Sequence, residues 1–255
     1  MGEGKKTQRI DKILGNLGYG SRSDLKKMAK QGRITLNGSV VKDSGMQCHP
    51  GLDVLEVDGE RVVYREFVYI MLHKPPGVIS ATEDVREKTV LDLLPGEFRV
   101  FSPFPVGRLD KDTEGLLLLT NDGQLAHDLL SPRKHVPKTY HADCVGLIGD
   151  REAEHFAAGV ELDDGYVTLP AQMEVLERGS YGDGSPRTRI ALTISEGKFH
   201  QVKRMLEAVG SKVTYLKRVS MGPLALDEAL PKGAFRELSA EELEALRSYK
   251  NKPVE

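Results

Sequence analysis

Residues 106–123, VGRLDKDTEGLLLLTNDG, constrain the fold of this chain more than any other segment. The apolar run 116–119 lies between turn residues, with Asn-Asp-Gly at 121–123, and such a run predicts a buried strand. Arg108 and Asp110 precede the run, so they would lie where a rigid element meets the edge of the core. A catalytic carboxylate would be held at such a place, which makes Asp110 the first candidate for chemistry.

The composition limits the class of protein. With 255 residues, 39% of them hydrophobic and 29% charged, the chain can bury one large core or join a small domain to a larger one. No apolar stretch approaches the roughly 20 residues that span a membrane, and the first residues lack the apolar core of a signal peptide. Cys48 and Cys144 have neither paired spacing nor a framework, so we expect free thiols in a reducing cytoplasm. The histidines show no ligand-like spacing, and no metal is predicted.

The net charge of −2 conceals an asymmetry. Residues 1–42 contain ten Lys or Arg and three Asp or Glu, a balance of +7, so the remainder carries −9. A basic head on an acidic body suggests a module for a polyanion attached to another domain, although a solvated surface would give the same count.

Two helices are predicted in the basic head. The segment 9–17 carries apolar residues at the spacing of one helical face, and the glycines at 18–20 end it. Ser21 then has the position of an N-cap, with Asp24 three residues later as in a capping box, and Gly32 ends the second helix.

Cations follow one ridge of the second helix. Arg22, Lys26 and Lys30 are four residues apart, on the side opposite the apolar positions, and Arg33 extends the ridge. Evenly spaced cations of this kind suit a phosphate backbone.

Two hairpins complete the head. Asn37-Gly38 and Asp58-Gly59 each lie between short apolar runs, which is a strong signal for a two-residue turn. The order RIDKILGNLGYGSRSDLKKMAKQGRITLNG resembles the S4 RNA-binding domain, so residues 1–65 are expected to form an S4-like domain that binds structured RNA.

The body, residues 66–250, begins with a predicted strand at 67–72. Lys74, Pro75 and Gly77 follow, and the stiff turn would hold Lys74 at the strand end. A turn with an incidental lysine fits the same residues equally well.

The rest of the body predicts an α+β fold on a mixed, mainly antiparallel sheet flanked by helices. Helices are predicted at 125–130 and 148–158 and from Ser239, and residues 251–255 are expected to be a tail. Strands are predicted at 139–145, 160–162, 166–169, 171–177, 188–195, 213–219 and 224–226, with a flexible turn at 179–186. Arg133, Lys134 and Lys138 form a basic loop near Tyr140, which is either solvated or an RNA contact.

The segment KFHQVKRMLEAVG predicts an amphipathic helix. Phe199 would share its apolar face with Val202 and Leu206. Lys203 and Arg204 lie on the other face, where they are either solvated, partners for a carboxylate, or in the case of Arg204 an RNA contact.

The run GRLDKDTEGLLLLTNDG, the later K-x-Y and the run E-G-x-x-H-Q-V-K-R-M closely resemble the RsuA-type pseudouridine synthases, a branch that modifies small-subunit rRNA. With the S4-like head, the resemblance covers nearly the whole chain. It implies isomerisation of a specific uridine in 16S rRNA, free or in an assembling small subunit, without cofactor or metal. The protein would be a cytoplasmic monomer without membrane contact.

The resemblance also implies roles for single residues. Asp110 matches the catalytic aspartate, acting as nucleophile at C1′ or as base at C2′. Tyr140 matches the tyrosine that stacks on the target base and assists proton transfer. Lys203 matches the cation that pairs with the aspartate, where more distant families have arginine. Arg108 matches the residue that fills the gap left by the flipped nucleotide. Lys74, Pro75 and Gly77 match a motif for which a structural role is expected.

Other functions remain open at this point. A large-subunit (23S) rRNA synthase of the same family would carry similar motifs. An RNA-binding assembly factor without essential catalysis would keep the head, and a glycoside hydrolase would need two carboxylates about 5–10 Å apart, for which Asp112 or Glu114 lies near Asp110.

Overall fold

The computed structural model of the chain describes residues 7–49, 52–62 and 65–250, so the predicted tail lies outside the described residues. Two compact units are present. One consists of residues up to Val68 together with Pro95–Ser102, and the other of Tyr69–Leu94 and the chain from Pro103 onward. No helix in the described ranges has the length and apolar content needed to cross a bilayer.

Within its described residues, the first unit has three helices and six short strands. The helices are α1 (Ile10–Asn16), α2 (Arg22–Lys30) and α3 (Gly96–Arg99). The strands are β1 (Gln8–Arg9), β2 (Ile34–Leu36), β3 (Ser39–Val40), β4 (Gln47–Cys48), β5 (Leu55–Val57) and β6 (Glu60–Arg61). β1 pairs with β4, and the other four form an antiparallel sheet in the order β3-β2-β5-β6.

The local signals predicted for this unit are confirmed. Ser21 caps α2 through a complete capping box with Asp24, and Leu25 of α2 is buried in the apolar cluster of the unit. Asn37 and Asp58, each followed by glycine, have φ values of 50° and 54°, as the first residue of a type I′ turn requires. The turn twist matches that of the strands, which sets the register of both hairpins.

The second unit is built on a nine-stranded sheet. Its strands are β7 (Tyr69–Lys74), β8 (Phe104–Pro105), β9 (Glu114–Thr120), β10 (Lys138–Val145), β11 (Gln172–Ser180), β12 (Pro186–Ile194), β13 (Val213–Met221), β14 (Leu224–Ala225) and β15 (Phe235–Glu237). Its helices are α4 (Gly123–Leu130), α5 (Asp150–Ala158), α6 (Gln201–Ala208) and α7 (Ala240–Lys250). The order is β11-β12-β10-β13-β9-β7-β15, with β14 beside β13 and β8 beside β9.

The sheet is mixed and mainly antiparallel, as predicted, because β9 and β13 are the only parallel neighbours among the described strands. Every residue of β9 is buried, which confirms the strand predicted from the run 116–119. The first strand of the unit is β7, two residues later than the prediction of 67–72. Its pairing with β9, from Tyr69 opposite Thr120 to Lys74 opposite Gly115, fixes that register.

Two strand predictions were wrong. The segments 160–162 and 166–169 contribute only an isolated bridge between Glu161 and Val167, because the chain turns tightly between Leu162 and Tyr166. The flexible turn predicted at 179–186 is also too long. β11 continues to Ser180, opposite Pro186, since pairing with β12 overrides the low strand propensity of the glycine at 179.

Gly115 is where β9 meets β13. Its φ is +109°, and a Cβ atom built there would lie 2.1 Å from the carbonyl oxygen of Arg218 and 2.7 Å from its nitrogen. Both are backbone atoms of the partner strand, so no side-chain movement can relieve the overlap. Only glycine permits the approach of these two strands.

We expect Gly115→Ala to lower the free energy of unfolding by about 3 kcal/mol or more, because it combines a backbone clash with an unfavourable φ. Urea denaturation checks the value. Gly182→Ala is the matched control, since a Cβ atom there meets nothing within 4 Å, and it should change stability by no more than about 0.5 kcal/mol. Equal midpoints for the two variants would contradict the role of Gly115.

Candidate active site

The loop that carries Asp110 is held by the ammonium group of Lys74. Lys74 ends β7, and its side chain is fully buried. Its Nζ donates hydrogen bonds to the carbonyl oxygens of Asp110 at 3.0 Å, Thr113 at 2.9 Å and Pro75 at 3.0 Å. The carbonyl oxygen of Lys111 lies 3.4 Å from the same nitrogen. The backbone on both sides of the Asp110 side chain is therefore tied to one point.

The buried charge of Lys74 is reflected in its ionisation. Burial lowers the pKa of Lys74 to about 8, and the carboxylates of Asp112, Asp110 and Glu114 partly oppose that shift. The protonated form nevertheless predominates at neutral pH, and it provides the three N–H donors that the surrounding carbonyl groups accept.

A second set of contacts holds the same loop from the turn after β7. The N–H of Gly77 donates to the carbonyl oxygen of Lys111 at 2.7 Å, from a backbone with φ of +82°. The hydroxyl of Ser80 donates to the carbonyl oxygen of Leu109 at 2.8 Å and accepts from its N–H at 3.0 Å. The turn with Pro75 and Gly77 thus positions the loop through its backbone.

The Asp110 side chain, 29% exposed, faces the beginning of α6. Its Oδ2 is 3.3 Å from Nζ of Lys203, and its Oδ1 is 3.5 Å from Nε2 of His200. The same Lys203 ammonium donates to both carboxylate oxygens of Asp112, at 2.7 and 2.9 Å. Lys203 therefore lies between two carboxylates, and its shorter contacts are with Asp112.

This arrangement fixes the charges of the cation and its closer partner. Partial burial lowers the pKa of Lys203, but the hydrogen bond to Asp112 and the charge of Asp110 outweigh it, and the net shift is upward. The hydrogen bond from Lys203 likewise lowers the pKa of Asp112. At neutral pH Lys203 is protonated and Asp112 is ionised.

Buried polar residues hold the beginning of α6 in place. Gln201 is buried, and its Nε2 donates to Oε1 of Glu196 at 2.7 Å while its Oε1 accepts from the N–H of Lys198 at 2.8 Å. Glu196 also accepts from the N–H of Leu169 at 2.9 Å. This network gives a physical reason for the glutamate and glutamine in the E-G-x-x-H-Q run, because they orient the turn from which Lys203 projects.

The prediction that Phe199 lies on the buried face of this helix was wrong. α6 begins at Gln201, and Phe199 is 75% exposed, whereas Val202 and Leu206 are buried as expected. His200 has φ of +49°, in the left-handed region, so the chain before the helix turns away from the helical path.

Tyr140 lies on β10 and is 8% exposed. Its cross-strand partner on β13 is Arg218, whose partner on β9 is Gly115. The three residues form one row across the sheet. Two strand spacings place Tyr140 about 10 Å from the start of β9, the strand that follows Asp110.

Arg218 is a buried residue of this region that the sequence did not single out. It is 2% exposed, and its Nε donates to the carbonyl oxygen of Leu116 at 2.8 Å, while Nη2 is buried without a partner among the described residues. Burial and the charge of Arg218 lower the pKa of Lys138 to about 8. An isolated arginine in a strand carries no sequence signal. Asp112 and His200 lie within the two motifs, but the sequence did not predict their contacts with Lys203 and Asp110.

The predicted RNA-binding residues differ in availability. Some are exposed and form no ion pair in the part of the chain that the structure describes: Arg22, Lys26, Lys30, Arg108 and Arg133. Lys134 is half-buried, and the others have their charged groups bound within the protein. Arg33 pairs with Asp58, Lys138 donates to the carbonyl oxygen of Val136, and Arg204 pairs with Asp163 and Asp164. A phosphate contact by Arg33, Lys138 or Arg204 would have to replace this internal bonding.

Comparison with known proteins identifies the class. The family described as RNA pseudouridylate synthase matches residues 68–208, and the S4 domain matches residues 8–54. The chain is 52% identical to an uncharacterized RNA pseudouridine synthase, YtzG, of Bacillus subtilis (strain 168), over 93% of this chain and 98% of that protein. It is 40% identical to the ribosomal small subunit pseudouridine synthase A of Yersinia pestis, over 92% of this chain and 96% of that protein. It is 38% identical to the ribosomal large subunit pseudouridine synthase B of Bacillus subtilis (strain 168), over 94% of this chain and 96% of that protein.

A solved structure described as a crystal structure of pseudouridylate synthase has a TM-score of 0.64 and 34% identity, covering 93% of this chain and 99% of that one. The chain therefore belongs to the RNA pseudouridylate synthase family and carries an N-terminal S4 domain. It is an isomerase of uridine in RNA, and the resemblance inferred from the motifs is confirmed.

We expect a pH-dependent stability effect of Lys74→Met. The pKa of Lys74 is below that of an unfolded lysine, so the unfolded chain binds more protons between pH about 8 and 10, and this lysine makes the free energy of unfolding rise with pH. Between pH about 7.5 and 9.5, wild type should gain about 2 kcal/mol relative to Lys74→Met. Lys212→Met, at an exposed position, should remain parallel to wild type. Parallel curves for Lys74→Met would contradict the assignment.

Proposed function

We propose that this protein isomerises a uridine of small-subunit (16S) rRNA to pseudouridine, with Asp110 as the catalytic carboxylate and without a cofactor. The observation that carries the proposal is the position of Asp110, whose backbone is fixed by Lys74 and whose side chain is within ion-pair distance of Lys203. The carboxylate is 29% exposed and can reach a ligand, and the Lys203 ammonium places a positive charge beside it.

The reaction conserves every atom of the nucleotide. The bond between N1 of uracil and C1′ of ribose breaks, the uracil turns, and a bond forms between C5 and the same C1′. The proton on C5 is lost and N1 ends protonated. Ionised Asp110 would act either as a nucleophile at C1′ or as a base at C2′, and both routes need the carboxylate close to the sugar.

Two further residues are assigned to the RNA in this proposal. A base can react only when it leaves its stack, which costs a few kcal/mol. Tyr140 would stack on the flipped uracil, since stacking on an aromatic ring is worth about 1–3 kcal/mol per base. Arg108 is exposed and lies two residues before Asp110, so it would fill the space that the nucleotide leaves.

The S4 domain would bind structured rRNA through the exposed cations of α2. Arg22, Lys26 and Lys30 follow one side of the helix, while Leu25 and Met28 are buried on the other. Arg133 is a second exposed cation, in the loop before β10. We expect the protein to act as a cytoplasmic monomer on 16S rRNA or on an assembling small subunit.

The alternative target is 23S rRNA. The His-Gln-Val-Lys run at 200–203 favours the small-subunit branch, but the relatives named for the small and the large subunit are similar to nearly the same extent, 40% and 38%. Pseudouridine mapping on both rRNAs decides between them.

We expect Asp110→Asn to abolish pseudouridine formation, because the amide neither attacks nor accepts a proton, while RNA affinity stays within a few-fold. A strain lacking the protein is complemented with wild type, with Asp110→Asn or with Asp183→Asn, which alters an exposed turn carboxylate. Mapping of 16S and 23S rRNA should show one 16S site that wild type and Asp183→Asn restore. Pseudouridine formed by Asp110→Asn would contradict the catalytic assignment. Loss of a 23S pseudouridine in the strain lacking the protein would instead identify 23S rRNA as the target.

Replacing Arg22, Lys26 and Lys30 by glutamine should weaken RNA binding and flatten its dependence on salt. Each lost phosphate contact should reduce the slope of log affinity against log salt concentration by about 0.7–0.9. Fluorescence anisotropy with a labelled rRNA fragment, repeated at several salt concentrations, measures this slope. The double variant Arg151→Gln and Lys212→Gln removes two other exposed cations and should keep the wild-type slope. An unchanged slope in the triple variant would exclude α2 as the RNA anchor.

A further inference from the structure

Phe199 is an aromatic residue held outside the core. It is 75% exposed, whereas no other phenylalanine or tyrosine within the described ranges exceeds the 41% of Tyr19. Its sequence neighbours Gly197 and Lys198 are exposed as well, so the ring is an apolar surface within a polar stretch of the sequence. A wide patch would indicate a protein interface, whereas an isolated ring with two flat faces suits stacking.

The ring is fixed although it is exposed. One face stacks on the imidazole of His200, with the ring centroids 3.7 Å apart and the planes 19° from parallel. The carbonyl oxygen of Phe199 accepts from Nη1 of Arg204 at 3.4 Å, and Asp163 and Asp164 hold that guanidinium in turn. The second face of the ring is left to solvent in a defined orientation.

The stacked pair lies beside the candidate catalytic carboxylate. Nε2 of His200 is 3.5 Å from Oδ1 of Asp110, and the Phe199 ring stacks on the same imidazole. The left-handed backbone of His200, with φ of +49°, directs Phe199 outward instead of along α6. An RNA strand whose uridine reaches Asp110 would therefore pass this ring with a neighbouring nucleotide.

A lysine directly precedes the ring in the sequence. Lys198, the residue before Phe199, is exposed, and its Nζ lies 4.3 Å from the centroid of the Tyr166 ring. Lys198 is thus a cation one residue from an exposed aromatic side chain, and single-stranded nucleic acid is bound by rings that stack on bases and cations that contact phosphates.

We propose that Phe199, supported by His200, is a binding site for an unpaired base of the substrate RNA next to the target uridine. The target base itself belongs to Tyr140 in the proposed function, on which this inference rests. Unpaired bases stacked on aromatic side chains are a general mode of RNA recognition. The site binds any base through its π-face, so it selects an unpaired context more than a sequence.

The test compares Phe199→Leu, which keeps an apolar side chain without a π-face, with Phe199→Tyr, which keeps the ring. The substrate is a transcript of the rRNA segment around the mapped uridine, with 2-aminopurine on the 5′ or the 3′ side of that uridine. Phe199→Leu should raise KM by about 5- to 100-fold with kcat within threefold, and Phe199→Tyr should restore KM to within threefold of wild type. Wild type should quench one of the two 2-aminopurine probes, and Phe199→Leu should lose that quenching.

Leu147→Ala is the matched control, since Leu147 is 70% exposed outside the site, and it should change neither KM nor quenching. Wild-type KM and quenching in Phe199→Leu, with pseudouridine still formed, would overturn the stacking site and leave the proposed function intact. Normal RNA kinetics in Phe199→Leu with loss of binding to ribosomal proteins would assign the ring to a protein instead. If wild type forms no pseudouridine on either rRNA, the proposed function fails. The stacking site is then decided separately, by whether Phe199→Leu loses the quenching that wild type shows on a panel of 2-aminopurine-labelled rRNA fragments.

Discussion

The hydrogen bonds between the Lys74 ammonium and the carbonyl oxygens of Asp110, Thr113 and Pro75 are the interaction on which the rest of the site depends. Loops are usually the mobile part of a fold. This loop is tied to the last residue of β7, next to the strand that it enters, so it has the rigidity of the sheet. A buried ammonium is costly unless polar groups surround it, and backbone carbonyls surround this one. The carbonyl positions are fixed by the same bonds, and the Asp110 side chain takes its direction from them.

The electrostatics of the site follow from a cation that two carboxylates share. An arginine would bind one carboxylate through two parallel hydrogen bonds, whereas a lysine is a point charge that can lie between two. Lys203 donates to both oxygens of Asp112 and approaches Asp110 at a longer distance, 3.3 Å. Asp110 thus has a positive neighbour without being locked in a close pair. In the proposed function this carboxylate would need its charge together with freedom to move toward the substrate.

The predictable parts of the structure are those in which a local signal and the tertiary fold agree. The capping box of Ser21, the turns at Asn37 and Asp58, and the strand after Asp110 depend on neighbouring residues. The two motifs contain Asp110 and Lys203, whose charged groups lie 3.3 Å apart. Other features depend on distant partners. β11 continues through Gly179 because β12 pairs with it, Phe199 leaves the helix because His200 takes a left-handed conformation, and Arg218 is buried because β13 lies beside β9. A hydrophobic pattern along the chain contains none of these constraints.

The parallel pairing of β9 with β13 has a consequence for the order in which the protein is made. It joins Glu114 to Lys217 and Gly115 to Arg218, about one hundred residues apart. Contacts this distant in sequence form late, because the loop between them must close first. The S4 domain and the segment Pro95–Ser102 have been synthesised long before β13 exists, and domains fold in order from the N-terminus during synthesis. The nascent chain therefore completes its S4 domain well before the strands around the loop that carries Asp110 are all in place.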